Sequence, residues 1–244
     1  MAASLERKHD RRAAQQLIVR VGGEMQEGPP GRRIALDAAR PAPGHSLPPS
    51  LFPRVVNELL LARHGETEWS INGRHTGRTD LPLTENGRQL ALRLAPRLEG
   101  QTFALVLTSP LRRAIETCEL AGLGERAQVR DDLREWDYGD YEGLTTAEIR
   151  RRRPGWSLWN DGCPNGDVAA DVGARADRVI AEVRAADAGS IAFGHGHMLR
   201  VLAARWLGLA PERGALFALA TGTLSTLGYE RDTAVIRSWS ELPR

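Results

Sequence analysis

Leu59-Leu60-Leu61-Ala62-Arg63-His64-Gly65-Glu66-Thr67 is an apolar run that stops abruptly at an arginine, a histidine and a glycine. A short apolar run bounded by turn chemistry predicts a buried strand, and in open α/β sheets ligands collect just beyond the carboxyl ends of the strands. His64 therefore falls where chemistry is usually done. A histidine at a strand end is, taken alone, more often a hydrogen-bonded structural residue. Arg63 beside it changes that balance, because a permanent cation discourages both a proton and a metal ion on the ring. A neutral imidazole beside a guanidinium suits attack on an anion, and phosphate is the obvious candidate.

Two further stretches repeat the pattern. Phe103 to Leu107 reads as a second short strand that ends in Thr108-Ser109-Pro110, and Pro110 suits the first turn of a following helix, which places Arg112 and Arg113 in that turn. An anion held there meets backbone N–H groups and guanidinium together. Ser190-Ile191-Ala192-Phe193 reads as a third strand, ending in Gly194-His195-Gly196-His197 with helix from Met198 to Leu209. Between these strands, Thr84 is placed to cap a helix from Glu85 to about Leu98 that carries Leu90, Leu94 and Leu98 on one face, with a kink at Pro96. Asp171 to Ala186 is a second amphipathic helix through Val172, Ala176, Val179, Ile180 and Val183. A short strand at Ala127 to Val129, and two closing strands at Thr223 to Tyr229 and Ala234 to Ile236, complete the set. Alternating strands and helices predict an α/β fold with a doubly wound, mostly parallel sheet. Strand ends of one parallel sheet face the same way, so His64, Ser109 with Arg113, and His195 can share one crevice.

Between the second and third of these strands lies a loop dense in carboxylates and aromatics, Asp132 to Gly143, followed by a capping-box start at Thr145-Thr146-Ala147-Glu148 and a stop at Pro154-Gly155. Trp156 to Gly166 is then irregular, rich in Gly and Pro, and carries two indoles. Such a stretch makes a lid or pocket wall, an interface, or a loop whose tryptophans simply cover core.

Composition sets the bounds. Of 244 residues 41% are hydrophobic and 26% charged, enough for a sizeable core, and a formal charge of +2 with scattered arginines gives no basis for nucleic-acid binding. Cys118 and Cys163 form no disulfide framework and no metal-type pair, so a reducing cytoplasm is the expected compartment. No apolar stretch approaches the about 20 residues needed to span a bilayer, and no signal-peptide core is present. Residues 1–56 are dominated by Arg, Ala, Gly and Pro and read as a disordered extension ahead of a domain at 57–244. Glu6, Asp10, Glu24 and Glu27 weaken an organellar-presequence reading, and a later translation start, at Met25 or near Val55, is the other alternative.

Arg63-His64-Gly65-Glu66-Thr67, followed by Arg74, Thr76-Gly77, Asp80 and Pro82-Leu83-Thr84, resembles the opening motif of the histidine phosphatase superfamily, also called phosphoglycerate-mutase-like. Ser109-Pro110-Leu111-Arg112-Arg113-Ala114, Leu133-Arg134-Glu135 with Tyr138-Gly139, and Gly194-His195-Gly196 match its remaining motifs in order. The resemblance runs from about residue 57 to the C-terminus and implies a three-layer sandwich. It further implies that His64 is the nucleophile that carries a phosphoryl group, while Arg63, Arg113 and a protonated His195 bind the oxygens of that group. Where some branches place an Asp after the second histidine this chain has Gly196, which leaves Glu135 as the leading general acid and base and Asp137 as the weaker one. The alternative for Glu135 is an ion pair with a pocket arginine.

Only 60 residues separate Glu135 from His195, shorter than the pattern of the mutases in this superfamily, which cover the phosphoenzyme with an extended insertion. Ser70 and His197 stand where mutases usually carry Asn. These features look like the branch of sedoheptulose 1,7-bisphosphatase and mycobacterial acid phosphatases. By that resemblance Ser70, Thr76, Gly77, Tyr138, Gly196, His197 and Arg200 lie on the substrate side, and Arg200 suits a second phosphate or a carboxylate. The expected partner is a small phosphorylated metabolite, with no cofactor and no metal. A phosphoglycerate mutase is the first alternative; a metal hydrolase using His64, His195 and His197, and a non-catalytic phosphate-binding protein, are the others. The sequence leaves homo-oligomerisation open.

Overall fold

The computed structural model describes residues 58–186 and 188–243; the N-terminal extension expected at 1–56 lies outside the described residues. The opening run forms β1 (Leu59–Arg63), and the turn after it leads into α1 (Glu68–Ile71), capped by Thr67. Thr84 accepts from the Gly87 N–H as the predicted cap of α2 (Glu85–Leu92). The expected helix to Leu98 is two helices, because α2 stops at Leu92 and Pro96 sits in the first turn of a separate α3 (Ala95–Leu98). Proline lacks the N–H an interior position needs, so it starts a helix better than it bends one. Next come β2 (Leu105–Thr108) and α4 (Arg112–Leu120). Pro110 falls just outside α4, so Arg112 and Arg113 are its first two residues.

β3 (Ala127–Val129) leads into the carboxylate-rich loop, followed by α5 (Thr146–Arg152), with the predicted Thr145–Glu148 capping box, and α6 (Leu158–Asp161). The long α7 (Ala169–Ala185) buries Val172, Ala176, Val179, Ile180 and Val183, the face read from its spacing. β4 (Ser190–Gly194) is wholly buried and passes through His195 directly into α8 (Gly196–Trp206). β5 (Leu224–Glu230) and β6 (Thr233–Glu241) are joined by the two-residue turn Arg231-Asp232.

The six strands form one sheet in the order β3-β2-β4-β1-β5-β6. The first four are mutually parallel, and β5 and β6 add an antiparallel edge. Alternation along each strand divides the core between the two faces. Leu59, Leu61, Leu107 and Ala192 pack with α7 and α8, whereas Ala62, Val106, Ile191 and Phe193 pack with Leu94, Leu98 and Cys118 on the other side. This is the α/β sandwich expected, with helices over both faces of a mostly parallel sheet.

Register then places the site. Arg63 is level with Gly194, and Thr108 with Phe193. The ladder continues one step further, with the His64 N–H donating to Gly194 O at 3.0 Å and the Ser109 N–H to Phe193 O at 3.0 Å. The three strand ends named from sequence are therefore adjacent on one rim of the sheet.

Candidate active site

His64 sits in a turn that is fixed on three sides. The Gly65 N–H donates to Thr117 Oγ1, Thr84 Oγ1 donates to the Glu66 carboxylate at 2.7 Å, and Thr84 N–H donates to Glu66 O. A Cβ on Gly65 would lie 2.3 Å from Gly87 O, so the turn can rest on the start of α2 only because the residue is glycine. His64 Nδ1 lies 2.7 Å from Gly65 O. A carbonyl can only accept, so Nδ1 carries the proton and Nε2 keeps its lone pair. Burial, with Arg113 and then Arg63 nearby, holds the His64 pKa well below the ordinary histidine value. The ring is a neutral imidazole with a free nitrogen.

Arg63 is the cation beside it. Its Nη1 donates to Leu219 O, but Nε is buried with no partner among the described residues. An unmet donor on a buried guanidinium is costly in an isolated protein and is resolved by an anionic acceptor. Gly196 lets the start of α8 approach this group, since a Cβ there would be 3.2 Å from the guanidinium carbon.

Arg113 and His195 lie behind His64 and are fully buried. Arg113 Nε donates to His195 Nδ1 at 3.1 Å, Nη1 to Thr79 O, and Nη2 to Thr76 O and Gly77 O. Guanidinium must donate, so His195 Nδ1 accepts and its Nε2–H donates to Ser109 Oγ at 2.7 Å. The rings of His64 and His195 are 5.1 Å apart. Burial, then Arg113, pushes the His195 pKa well below its ordinary value. His195 therefore rests as a neutral ring, and the protonated form that the resemblance implies belongs to the state with a phosphoryl dianion beside it.

Glu135 answers the question left at the sequence. Its Oε1 accepts from the N–H groups of Trp136 and Met198 and its Oε2 from that of His197. Among the described residues no arginine side chain forms an ion pair with it. The carboxylate instead occupies the N-terminus of α8, whose first-turn donors have no helical partners. Asp137 turns the other way, to Arg78 and the Gly139 N–H.

Arg63, His64 and Glu135 open into a cavity of about 280 Å³ whose walls also include Ser70, Thr76, Tyr138, Gly196, His197 and Arg200, while Arg113 and His195 lie buried outside its lining. Sequence reasoning missed Thr67, His75, Thr146 and Leu219, which also line it. His75 lay in view between Arg74 and Thr76; Leu219 is tied to the site by its backbone carbonyl, which accepts from Arg63, and for that a sequence carries no signal. Ser70 Oγ is spent on Thr67, accepting from its N–H and donating to its carbonyl. Gly77 is placed apart from the other substrate-side residues: its N–H goes to Glu142, its carbonyl to Arg113, and it lines a second cavity behind Glu135. Tyr138 OH and His197 Nδ1 share a hydrogen bond at 2.6 Å, and burial pushes the tyrosine pKa up and the histidine pKa down, so both are neutral. Burial brings His75 to about 4. Arg200 stacks on Trp159 at 4.6 Å and donates to Gly214 O and Ala215 O, while Arg74 donates to Gly143 O.

The two indoles have separate tasks. Trp156 is buried, with its Nε1–H on Gly162 O, whereas Trp159 backs Arg200 in the wall of the pocket. His195 and His197 point apart, one to Ser109 and one to Tyr138, and among the described residues no cluster of three or more His, Cys, Asp or Glu could hold a metal ion. Nor, among them, is any helix long and apolar enough to cross a membrane.

Comparison with known proteins follows this geometry. The model of the histidine phosphatase superfamily, branch 1, matches residues 59–242. An acid phosphatase of Mycobacterium tuberculosis is 43% identical over 179 residues, covering 71% of this chain and 87% of that protein. Sedoheptulose 1,7-bisphosphatase of Saccharomyces cerevisiae is 39% identical over 200 residues, covering 68% and 71%. Among solved structures, that of a Mycobacterium tuberculosis open reading frame superposes with a TM-score of 0.73 at 38% identity, covering 77% of this chain and 99% of that one.

Proposed function

Because the chain belongs to the histidine phosphatase superfamily, we propose that it is a phosphomonoesterase that works through a phosphohistidine on His64, carried by residues 57–244. The observation that carries this reading is the free, unprotonated Nε2 of His64 beside the unpartnered Nε–H of Arg63. In the first step Nε2 attacks phosphorus and the ester P–O bond breaks. The leaving oxygen takes a proton from Glu135. In the second step Glu135 accepts a proton from water as its oxygen attacks phosphorus, the P–N bond breaks, and inorganic phosphate departs. Two easier displacements replace one slow hydrolysis. Arg63 and Arg113 balance the charge spread over the phosphoryl oxygens; His195 adds to this only after Arg113 Nε–H releases its Nδ1 to take a proton.

The substrate class follows from the rest of the cavity. Thr76, Tyr138, His75 and His197 offer neutral hydrogen-bonding groups suited to hydroxyls, and Arg200 and Arg74 offer cations for a second anion. A small sugar phosphate or bisphosphate fits this lining, and the names of the two relatives are in keeping with it. The short link between Glu135 and His195 favours water over a second acceptor, hence hydrolysis over transfer. Two guanidinium groups around His64 oppose a divalent cation, so full activity in EDTA is expected. The two free cysteines, Cys118 and Cys163, support a reducing, cytoplasmic setting.

Turnover of p-nitrophenyl phosphate quenched in alkaline detergent should trap a phosphoenzyme that survives base and is lost in acid, absent in His64→Ala, whose turnover falls by about 10⁴-fold or more. With 3-phosphoglycerate, release of inorganic phosphate is expected. Isomerisation without release would overturn the phosphatase reading.

A further inference from the structure

We infer that Arg175 and Asp167 form a clamp that positions Glu135 for proton transfer to the leaving oxygen. The inference rests on the proposed acid role of Glu135 and assigns two residues on which that role depends. Neither lies among the motifs that define the pocket: Arg175 is on α7 and Asp167 precedes it.

Glu135 belongs to a loop with no strand or α-helix of its own, so its backbone carbonyls need partners from elsewhere. Arg175 supplies them. Its Nη1 donates to Arg134 O at 2.6 Å and to Asp132 O at 3.3 Å, and its Nη2 to Glu135 O at 3.3 Å. The same Nη2 donates to Asp167 Oδ2 at 2.8 Å. That oxygen accepts the Asp137 N–H at 3.0 Å, and the Asp167 carbonyl accepts Trp136 Nε1–H at 3.0 Å. One guanidinium–carboxylate pair therefore grips the chain on both sides of Glu135. The side chains of Arg175 and Asp167 are only 17% and 23% exposed, so the pair is sheltered from the screening that weakens surface ion pairs.

A clamp is needed because the Glu135 carboxylate is held at its tip by N–H groups of α8, while a cavity of about 130 Å³, bordered by Arg175, Asp167 and Asp137, lies behind its loop. Without the pair the loop can settle into that space and draw the carboxylate back. Proton transfer requires hydrogen-bond reach, so a displacement of this kind costs acid catalysis before it costs binding. Arg175 has the geometry of a point-by-point donor fork, which lysine cannot reproduce.

The test uses the dependence on leaving group. An alkoxide needs a proton as it departs, whereas p-nitrophenolate leaves as an anion. For the full chain, kcat/KM is measured with glycerol 2-phosphate and with p-nitrophenyl phosphate. Glu135→Gln serves as the reference and should lose about 10²-fold on the first substrate and far less on the second. Arg175→Gln and Asp167→Asn should show the same selective loss, about 10-fold against about 2-fold. Arg175→Lys, the milder change, is read in the same way should Arg175→Gln not fold. Equal losses on both substrates, with Glu135→Gln still selective, would make the pair a merely structural contact and overturn the inference. If Glu135→Gln itself shows no selectivity, it is the acid role of Glu135 that fails.

Discussion

The pocket has two ends built on opposite principles. At the inner end, Arg113 and His195 are fully buried and nearly all their polar atoms are spent on the protein. At the outer end, Arg200 and Arg74 are anchored by backbone carbonyls but border the cavity together with neutral imidazoles and a phenol. The inner end is fixed by ladder hydrogen bonds and glycine contacts, so little about it can change without loss of the nucleophile. The outer end draws Arg74, His75 and Thr76 from the loop after α1, Tyr138 from the loop after β3, and His197 and Arg200 from α8, with Arg200 anchored by carbonyls of the segment after that helix. Chemistry is thus held rigid while the part that recognises the rest of the substrate sits on the more variable elements.

Among changes that leave His64 in place, the largest effect should come from Arg63. Arg63→Gln removes the buried Nε donor that has no partner among the described residues, and kcat/KM should fall about 10² to 10³-fold, as when a single oxyanion donor is lost. The same variant moves the pH profile. Arg63 helps hold the His64 pKa down. Without it that pKa rises, more of the ring is protonated at a given acidic pH, and the acid limb of kcat/KM shifts to higher pH. An unchanged limb would mean that burial and Arg113 suffice.

A smaller effect concerns stability. The folded chain holds His75 near 4, below the ordinary value of about 6.5. Between these values the unfolded chain binds the proton that the folded chain refuses, so stability is lost as pH falls from 6.5 towards 4. For this residue the loss should be about 2 kcal/mol between pH 7 and pH 5. Urea melts of the wild type and His75→Gln at both pH values measure it, the variant losing less on acidification. An identical pH dependence in the two proteins would show that His75 is not among the groups responsible.

The smallest effect separates the two ends most directly. Arg200→Met should raise KM about 10-fold for a sugar bisphosphate while changing kcat/KM for p-nitrophenyl phosphate by less than about 2-fold. A fall in kcat on both substrates would join Arg200 to the inner end and erase the distinction.

The inner end was readable in advance because its residues sit at strand ends. Leu59 to His64, Leu107 to Ser109 and Phe193 to His195 each show an apolar run that breaks into turn residues, and the unbroken apolar character of each run marks a strand covered on both faces. Pro96 misled because a helical stripe on both sides of it concealed two helices. The fate of Trp156, of Gly77 and of the Glu135 carboxylate had no such local mark. Each depends on which of several nearby donors or acceptors is closest, and that is decided between segments far apart in the chain.

Apolar runs and strand-end chemistry by themselves determined the sheet and brought His64, Ser109 and His195 to one rim, because these arise from short-range pattern; the ordered motifs carried the family resemblance, and with it the expectation that His64 is the nucleophile. Only the tertiary structure decided that His195 rests as a neutral ring between Arg113 and Ser109, that Glu135 caps α8 rather than pairing with an arginine, and that Arg175 and Asp167 hold its loop. A buried polar group must find its partner wherever the packing puts one, and sequence proximity does not encode that choice.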